Sequence, residues 1–346
     1  MSKTAPGNFF EDFRLGQVIR HATPRTVGAG DVALYQALYG GRFALQSSAE
    51  AARACGLPEA PLDDWLVFHI VFGKTVPDIS LNAVANLGYA EGRFGVPVYP
   101  GDTLYSVSEV IGLKETSAGD SGIVWVRSIG RNQRRETVLE YVRWVLVRKR
   151  DRAAHPPATL VPPLEPAVTA PQPPPGLDLA TWDFALSGSL HRWEDYAPGE
   201  RIDHVDGMTV EEAEHQLATR LYQNTAKVHF NQHVEGQGRF GRRLVYGGHV
   251  ISLARALSFN GLGNAVKLLA LNAGTHTAPL FAGDTVYAWS EVKERIDLGR
   301  SDCGALRLRT VATKNRACAD FPDLGPDGKR DPAVILDLDY TVLIAR

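Results

Sequence analysis

Two long, strongly apolar stretches of the chain have the spacing of buried helices, and each is followed by four runs rich in Val, Ile, Leu, Trp and Tyr. The first is Trp65 to Val76, with Leu66, Val67, Ile70 and Val71; strands are predicted after it over 82–93, 103–114, 122–131 and 138–149. The second carries Val250, Ile251, Leu253, Ala254 and Leu257, and its strands are predicted over 266–276, 284–295, 305–315 and 334–344. Shorter elements precede each core helix. Val18 to Pro24 reads as an edge strand, and Asp31 to Tyr39 as a helix with Ala33, Leu34, Ala37 and Leu38 on one face. Thr209-Val-Glu-Glu212 has the form of a capping box, so a helix is expected from there to about Tyr222. One helix packed on several strands, twice over, predicts an α+β fold.

The resemblance between the two sets extends to individual residues. Trp193-Glu-Asp-Tyr-Ala-Pro-Gly199 matches Phe10-Glu-Asp-Phe-Arg-Leu-Gly16 at an offset of 183, and Leu221-Tyr222 falls on Leu38-Tyr39 in the same register. Gly283-Asp-Thr-Val-Tyr287 matches Gly101-Asp-Thr-Leu-Tyr105 at an offset of 182. A register held that far indicates duplication, and two copies make two homologous domains rather than a solenoid. Between them, residues 155–176 contain nine prolines and no sustained apolar period, so a semi-rigid linker is expected. The expected division is 1–154, 155–176 and 177–346.

Composition adds mainly exclusions. The 346 residues include 44% apolar and 22% charged positions, with a formal net charge of -2, ordinary for a soluble globular chain. That balance gives no case for a nucleic-acid or anionic-membrane partner. No apolar run reaches the length of a membrane span, and the first residues lack a signal core, so a cytoplasmic location is expected. Cys55, Cys303 and Cys318 fit no metal-ligand spacing and read as reduced thiols. No phosphate loop or dinucleotide motif is present, so no metal and no tightly held cofactor is expected. Self-association into a homo-oligomer is compatible with the chain, which fixes no particular state.

The chemistry concentrates in Leu221-Tyr-Gln-Asn-Thr-Ala-Lys-Val-His-Phe-Asn231. There His229 follows Asn224 by five residues; in the upstream copy these positions are Gln46 and Gly41. Only the second copy keeps a side chain able to exchange protons near neutrality. Its central helix opens with Gly247-Gly248, whose backbone amides would sit at a helix N-terminus. The first copy has Phe68 at the corresponding place.

These features together resemble the MaoC-like (R)-specific enoyl-CoA hydratase family. Its motif, roughly Gly-Asp-x-Asn-Pro-x-His after a short helix, falls on Gln223 to His229. Tyr246-Gly-Gly-His-Val250 resembles its entry to the central helix. Val96-Pro-Val-Tyr-Pro-Gly-Asp102 and Ala278-Pro-Leu-Phe-Ala-Gly-Asp284 resemble its turn between strands. The resemblance covers both halves and implies a double hotdog, each half a long central helix wrapped by an antiparallel sheet. It also implies that the second half carries the hydratase site and that the silent first half shapes the cleft and helps bind coenzyme A, with Arg131, Arg134 and Arg135 near the nucleotide phosphates. The implied reaction is reversible hydration of a branched dicarboxylic enoyl-CoA, 2-methylfumaryl-CoA, with coenzyme A entering only as part of the substrate.

The residues depart from the family motif at the aspartate, which is Asn224 here, and at its Asn and Pro, which are Ala226 and Lys227; only the histidine survives intact. Asparagine cannot act as acid or base, but it can hold water through its carbonyl and substrate through its amide. Replacing an ionised carboxylate beside a substrate carboxylate removes a repulsion of about 4 kcal/mol at 4 Å and an effective dielectric near 20. The resemblance thus makes His229 the candidate base, Asn224 its companion, and Gly247 and Gly248 the enolate-stabilising amides. Tyr222, Lys227, Arg239, Arg243 and His249 are candidate substrate contacts, with Arg242, His233, His276 and Thr275 further candidates nearby. Another 2-enoyl-CoA hydratase, an acyl-CoA thioesterase and a non-catalytic CoA-binding hotdog are the competing readings.

Overall fold

The computed structural model describes residues 3–154 and 158–346. The head of the expected linker, residues 155–157, lies outside the described residues. Eleven strands form one antiparallel sheet. In the first half they are β1 (Val18–Arg20), β2 (Arg25–Thr26), β3 (Ala83–Phe94), β4 (Thr103–Glu115), β5 (Ser121–Arg131) and β6 (Thr137–Arg148). The second half contributes β7 (Arg201–Thr209), β8 (Ala265–His276), β9 (Thr285–Ile296), β10 (Cys303–Lys314) and β11 (Val334–Ala345). The order is β1-β4-β5-β6-β3-β8-β11-β10-β9-β7, with β2 on β4. The halves meet edge to edge where Tyr89 pairs with Gly274 and Arg93 with Ala270, so neither β3 nor β8 is left as an open edge.

The helices are α1 (Ala29–Tyr39), α2 (Ala44–Ser47), α3 (Ala49–Ala54), α4 (Asp64–Thr75), α5 (Glu212–Leu221), α6 (Gln232–Glu235), α7 (Gly247–Leu257) and α8 (Phe259–Leu262). All twelve residues of α4 are buried, which fits its apolar character on every face. It runs inside the curve of its half of the sheet, and α7 does the same in the other half.

The duplication appears as contacts between equivalent residues. Tyr39 and Tyr222, 183 positions apart, share a hydrogen bond of 2.7 Å, and His69 and Ser252, also 183 apart, one of 3.0 Å. An approximate twofold axis therefore passes between α4 and α7, and the same offset corrects the expected correspondence: Asp64 and Trp65, rather than Phe68, stand where the second half has Gly247 and Gly248. Internal networks repeat as well: His21 Nε2 meets Ser108 Oγ at 2.8 Å, and His204 Nε2 meets Ser290 Oγ at 2.8 Å.

Two local expectations are corrected. Thr209 does not cap α5. It ends β7 and its hydroxyl meets that of Thr285 at 2.8 Å, a cross-strand pair suited to a β-branched residue. The helix starts later, with Glu211 as N-cap and the Glu214 carboxylate accepting its amide. The proline-rich segment is strapped onto the protein rather than spanning open space. Leu160 and Leu113 exchange two backbone hydrogen bonds of 2.8 Å, and the Val168 amide donates to Asn272 Oδ1. Leu177, Leu179 and Trp182 then bury against Leu45, Val266 and Leu343, tying the segment to both halves.

Candidate active site

The loop after α5 turns back on itself at Gln223, whose φ of 52° lies in the left-handed region. Asn224 follows, 3% exposed, and its Oδ1 accepts the Ala226 amide at 2.9 Å. This Asx-type turn takes one of the two lone pairs of the carbonyl expected to hold water. The Asn224 side-chain NH2 has no hydrogen-bond partner among the described residues and is the part available to a ligand.

A 3-10 turn over Lys227–His229 then places His229, 7% exposed, with its ring 5.5 Å from Tyr246. His229 Nδ1 lies 2.8 Å from the Leu244 carbonyl oxygen. A carbonyl only accepts, so Nδ1 carries the proton and Nε2 holds the free lone pair. Burial pushes the imidazole down to about 4, partly offset by the Leu244 contact, so it is neutral at pH 7. A neutral imidazole with an unengaged Nε2 is competent as a base.

Tyr246 leads into α7. The amides of Gly247 and Gly248 have no hydrogen-bond partner among the described residues and stand at the positive end of the helix dipole. Packing requires the two glycines: a Cβ at 248 would lie 2.3 Å from the Tyr246 ring and 2.6 Å from His69, and one at 247 would lie 2.5 Å from His276. The reason for glycine is thus the protein's own aromatic side chains, rather than the close approach of a thioester.

Beside this loop lies a cleft of about 560 Å³ between the halves. Gly73 and Lys74 at the end of α4, with Thr23, face Arg220, Gln223 and Asn224 across it. Among the described residues no acidic side chain lines it, and two cations do. Lys74 is 3% exposed, donates to the Thr23 carbonyl and to Gln223 Oε1 (3.1 Å), and burial lowers its pKa to about 8. Gly73 is sterically obligatory, because a Cβ there would sit 1.9 Å from the Tyr222 carbonyl oxygen. The first half therefore forms one wall of this cleft.

The remaining sequence candidates disperse. Tyr222 and His249 both meet the Tyr39 hydroxyl, at 2.7 and 2.8 Å, in a fully buried network on the twofold axis. Arg243 is held by the Glu212 carboxylate, which also meets His215. Lys227, Arg239, Arg242 and His233 are exposed, and Arg242 and Arg239 lie over the rings of Phe281 and Phe240. His276 meets the Tyr89 hydroxyl at 3.3 Å, next to Thr275 on β8. In the first half, Arg134 is engaged by Glu136 and Asp102, while Arg131 and Arg135 are exposed at the same turn. Sequence reasoning passed over Gly73, Lys74 and Arg220. A lone lysine closing an otherwise apolar helix was the one signal available.

The first half's equivalent site is filled. Gln46, in the place of His229, donates to the Val266 carbonyl at 2.7 Å, and only about 20 Å³ remains beside Gly41, Phe43 and Leu66.

Comparison with known proteins gives a consistent picture. A family model described as mesaconyl-CoA hydratase matches residues 2–162. The chain is 63% identical over 348 residues to beta-methylmalyl-CoA dehydratase of Chloroflexus aurantiacus, covering 100% of this chain and 99% of that one. It is 62% identical over 346 residues to mesaconyl-CoA hydratase of Cereibacter sphaeroides, covering 99% and 100%. Among solved structures, a putative MaoC domain protein dehydratase from Chloroflexus aurantiacus superposes with a TM-score of 0.98 at 62% identity, covering 100% of this chain and 99% of that one. A conserved hypothetical protein from Mycobacterium tuberculosis with a double hotdog fold superposes at 0.79 with 25% identity, over 99% and 100%.

Proposed function

The chain belongs to the mesaconyl-CoA hydratase family within the MaoC-like double hotdogs, and from that premise we propose that it interconverts 2-methylfumaryl-CoA and β-methylmalyl-CoA by reversible addition of water. His229 Nε2 takes a proton from water as the oxygen bonds to the β-carbon, the carbon bearing the free carboxylate. The double-bond electrons move toward the thioester, and its oxygen accepts hydrogen bonds from the Gly247 and Gly248 amides. The imidazolium then returns its proton to the α-carbon. The Asn224 NH2 donates to the water or to the new hydroxyl, without placing a second negative charge beside the carboxylate.

The observation that carries this reading is the tautomer of His229: the Leu244 carbonyl fixes the proton on Nδ1 and leaves Nε2 basic. The acid-free cleft with Lys74 and Arg220 suits a polyanionic CoA ester. A thioesterase reading loses support for the same reason, because it calls for a carboxylate or equivalent near the thioester carbon. In this reading coenzyme A enters only as part of the substrate, and the buried cysteines stay reduced, as in a cytoplasmic enzyme. The first half, with Gln46 in the histidine position, is silent and serves as a wall.

Mixing the protein with 2-methylfumaryl-CoA tests the reading. Loss of enoyl absorbance without thiol release is expected; release of free thiol would indicate a thioesterase, and no change a binding protein.

A further inference from the structure

The first half holds a buried cation that forms no ion pair among the described residues. Arg143, on β6, is fully buried, and its guanidinium lies 4.1 Å over the Phe72 ring. Its Nη2 donates to Thr75 Oγ1 at 2.8 Å and to Ser80 Oγ at 3.3 Å, whereas Nε and Nη1 are buried without a partner. The ionisable groups acting on it are the hydroxyls of Tyr141, Tyr89 and Tyr246 and the imidazole of His21, whose Nδ1 meets the Asp78 carboxylate at 2.7 Å; among the described residues no carboxylate pairs with Arg143 itself. Of those hydroxyls, Tyr246 is buried without a hydrogen-bond partner among the described residues, and Tyr141 is buried with only the Ser128 and Thr75 hydroxyls beside it. Buried donors without acceptors are costly, and an unpaired buried guanidinium is more so. An anion arriving there would satisfy these donors.

The cluster borders the site. Tyr246 stands between the two, its ring 5.7 Å from Phe72 and 5.5 Å from His229, immediately before Gly247. We propose that Arg143, with the Tyr141 and Tyr246 hydroxyls, receives the distal carboxylate of the substrate and so turns the β-carbon toward His229. This rests on the dicarboxylic substrate reading above. It gives the half without a base a specificity role in the other half's reaction. The guanidinium supplies three unused N–H bonds to the carboxylate, and each tyrosine one O–H.

The test is Arg143→Met, compared with wild type on 2-methylfumaryl-CoA and on crotonyl-CoA, which lacks the carboxylate. We expect kcat/KM to fall about 100-fold on the first, as for loss of a charged hydrogen-bonded contact, and to stay within roughly threefold on the second. Tyr141→Phe should show the same selectivity at roughly 10-fold, and Arg143→Lys should recover part of the loss. Without ligand, the melting temperature of Arg143→Met should match or exceed wild type, because an unpaired buried charge has been removed. Should Arg143→Met not fold, Tyr141→Phe and Arg143→Lys decide the matter by the same two-substrate comparison. Equal losses on both substrates would assign a structural role and overturn the proposal, as would a selective loss in Lys74→Met with Arg143→Met unaffected. A wild type that hydrates crotonyl-CoA but not 2-methylfumaryl-CoA would instead remove the substrate reading itself, and the proposal with it.

Discussion

At the scale of single residues, the proposed chemistry depends on an imidazole kept neutral and pointed by one carbonyl. Because the His229 pKa is lowered to about 4, its basic form persists well below the usual histidine range. Protonation removes the base, so kcat/KM should stay level from pH 8 to about 5 and fall only on approach to pH 4. A pH–rate profile bending near 6.5 would contradict this. For Asn224→Asp, the Asx turn at Ala226 should survive, since a carboxylate accepts the same amide. The new charge should weaken 2-methylfumaryl-CoA relative to crotonyl-CoA, seen as a rise in KM on the dicarboxylic substrate alone. His229 and Asn224 were legible in the sequence because the second copy offered a register in which to compare them. Lys74 and Arg143 were not, since a cation in a strand or at a helix end is ordinarily solvated. Their burial arises only when distant segments pack.

At the scale of elements, apolar periodicity recovered the eight long strands and both core helices closely, because each buries a continuous face. It failed where local chemistry had two uses. Thr209 has the composition of a cap but the geometry of a strand, and its hydroxyl is spent on Thr285. The glycines of α7 were legible as a helix entry, although their steric partners, His69 and His276, come from α4 and β8. The junction of α4 with the active loop gives a sharp expectation. In Gly73→Ala the new methyl would meet the Tyr222 carbonyl oxygen at 1.9 Å, so the loop bearing Asn224 must shift. A displacement of about 1 Å at a catalytic loop is enough to cost roughly 100-fold in rate. We therefore expect that loss in kcat with near-wild-type circular dichroism; full activity would show that the loop tolerates the displacement.

At the scale of the whole molecule, the halves depend on each other. Lys267 on β8 pairs with Asp64 at the start of α4, both buried, and Asp64 also accepts the Leu268 amide at 2.9 Å. Lys267→Met should destabilise the protein by about 3–5 kcal/mol in denaturant melts, because it leaves a carboxylate buried alone. Acid sensitivity is built in as well. His204, His229 and His276 are each pushed by burial to about 4, His249 to about 3, and His69 lies well below its ordinary range. The unfolded chain takes up protons below about pH 6.5 and the folded one does not, so stability should fall as pH drops from 6.5 toward 4. One such histidine contributes about 3 kcal/mol across that window. A melting temperature unchanged between pH 7 and pH 5 would contradict the buried neutral assignment. Tandem organisation was readable from the repeat, and the resemblance implied that the first half shapes the cleft, but the first-half residues that line it were not readable, since no local pattern records which faces meet. The most direct measurement is the hydration rate of 2-methylfumaryl-CoA by His229→Gln, which gives the second half the residue found in the first. Catalysis through Nε2 predicts a loss of at least about 100-fold with the fold intact; a variant as fast as wild type would contradict it.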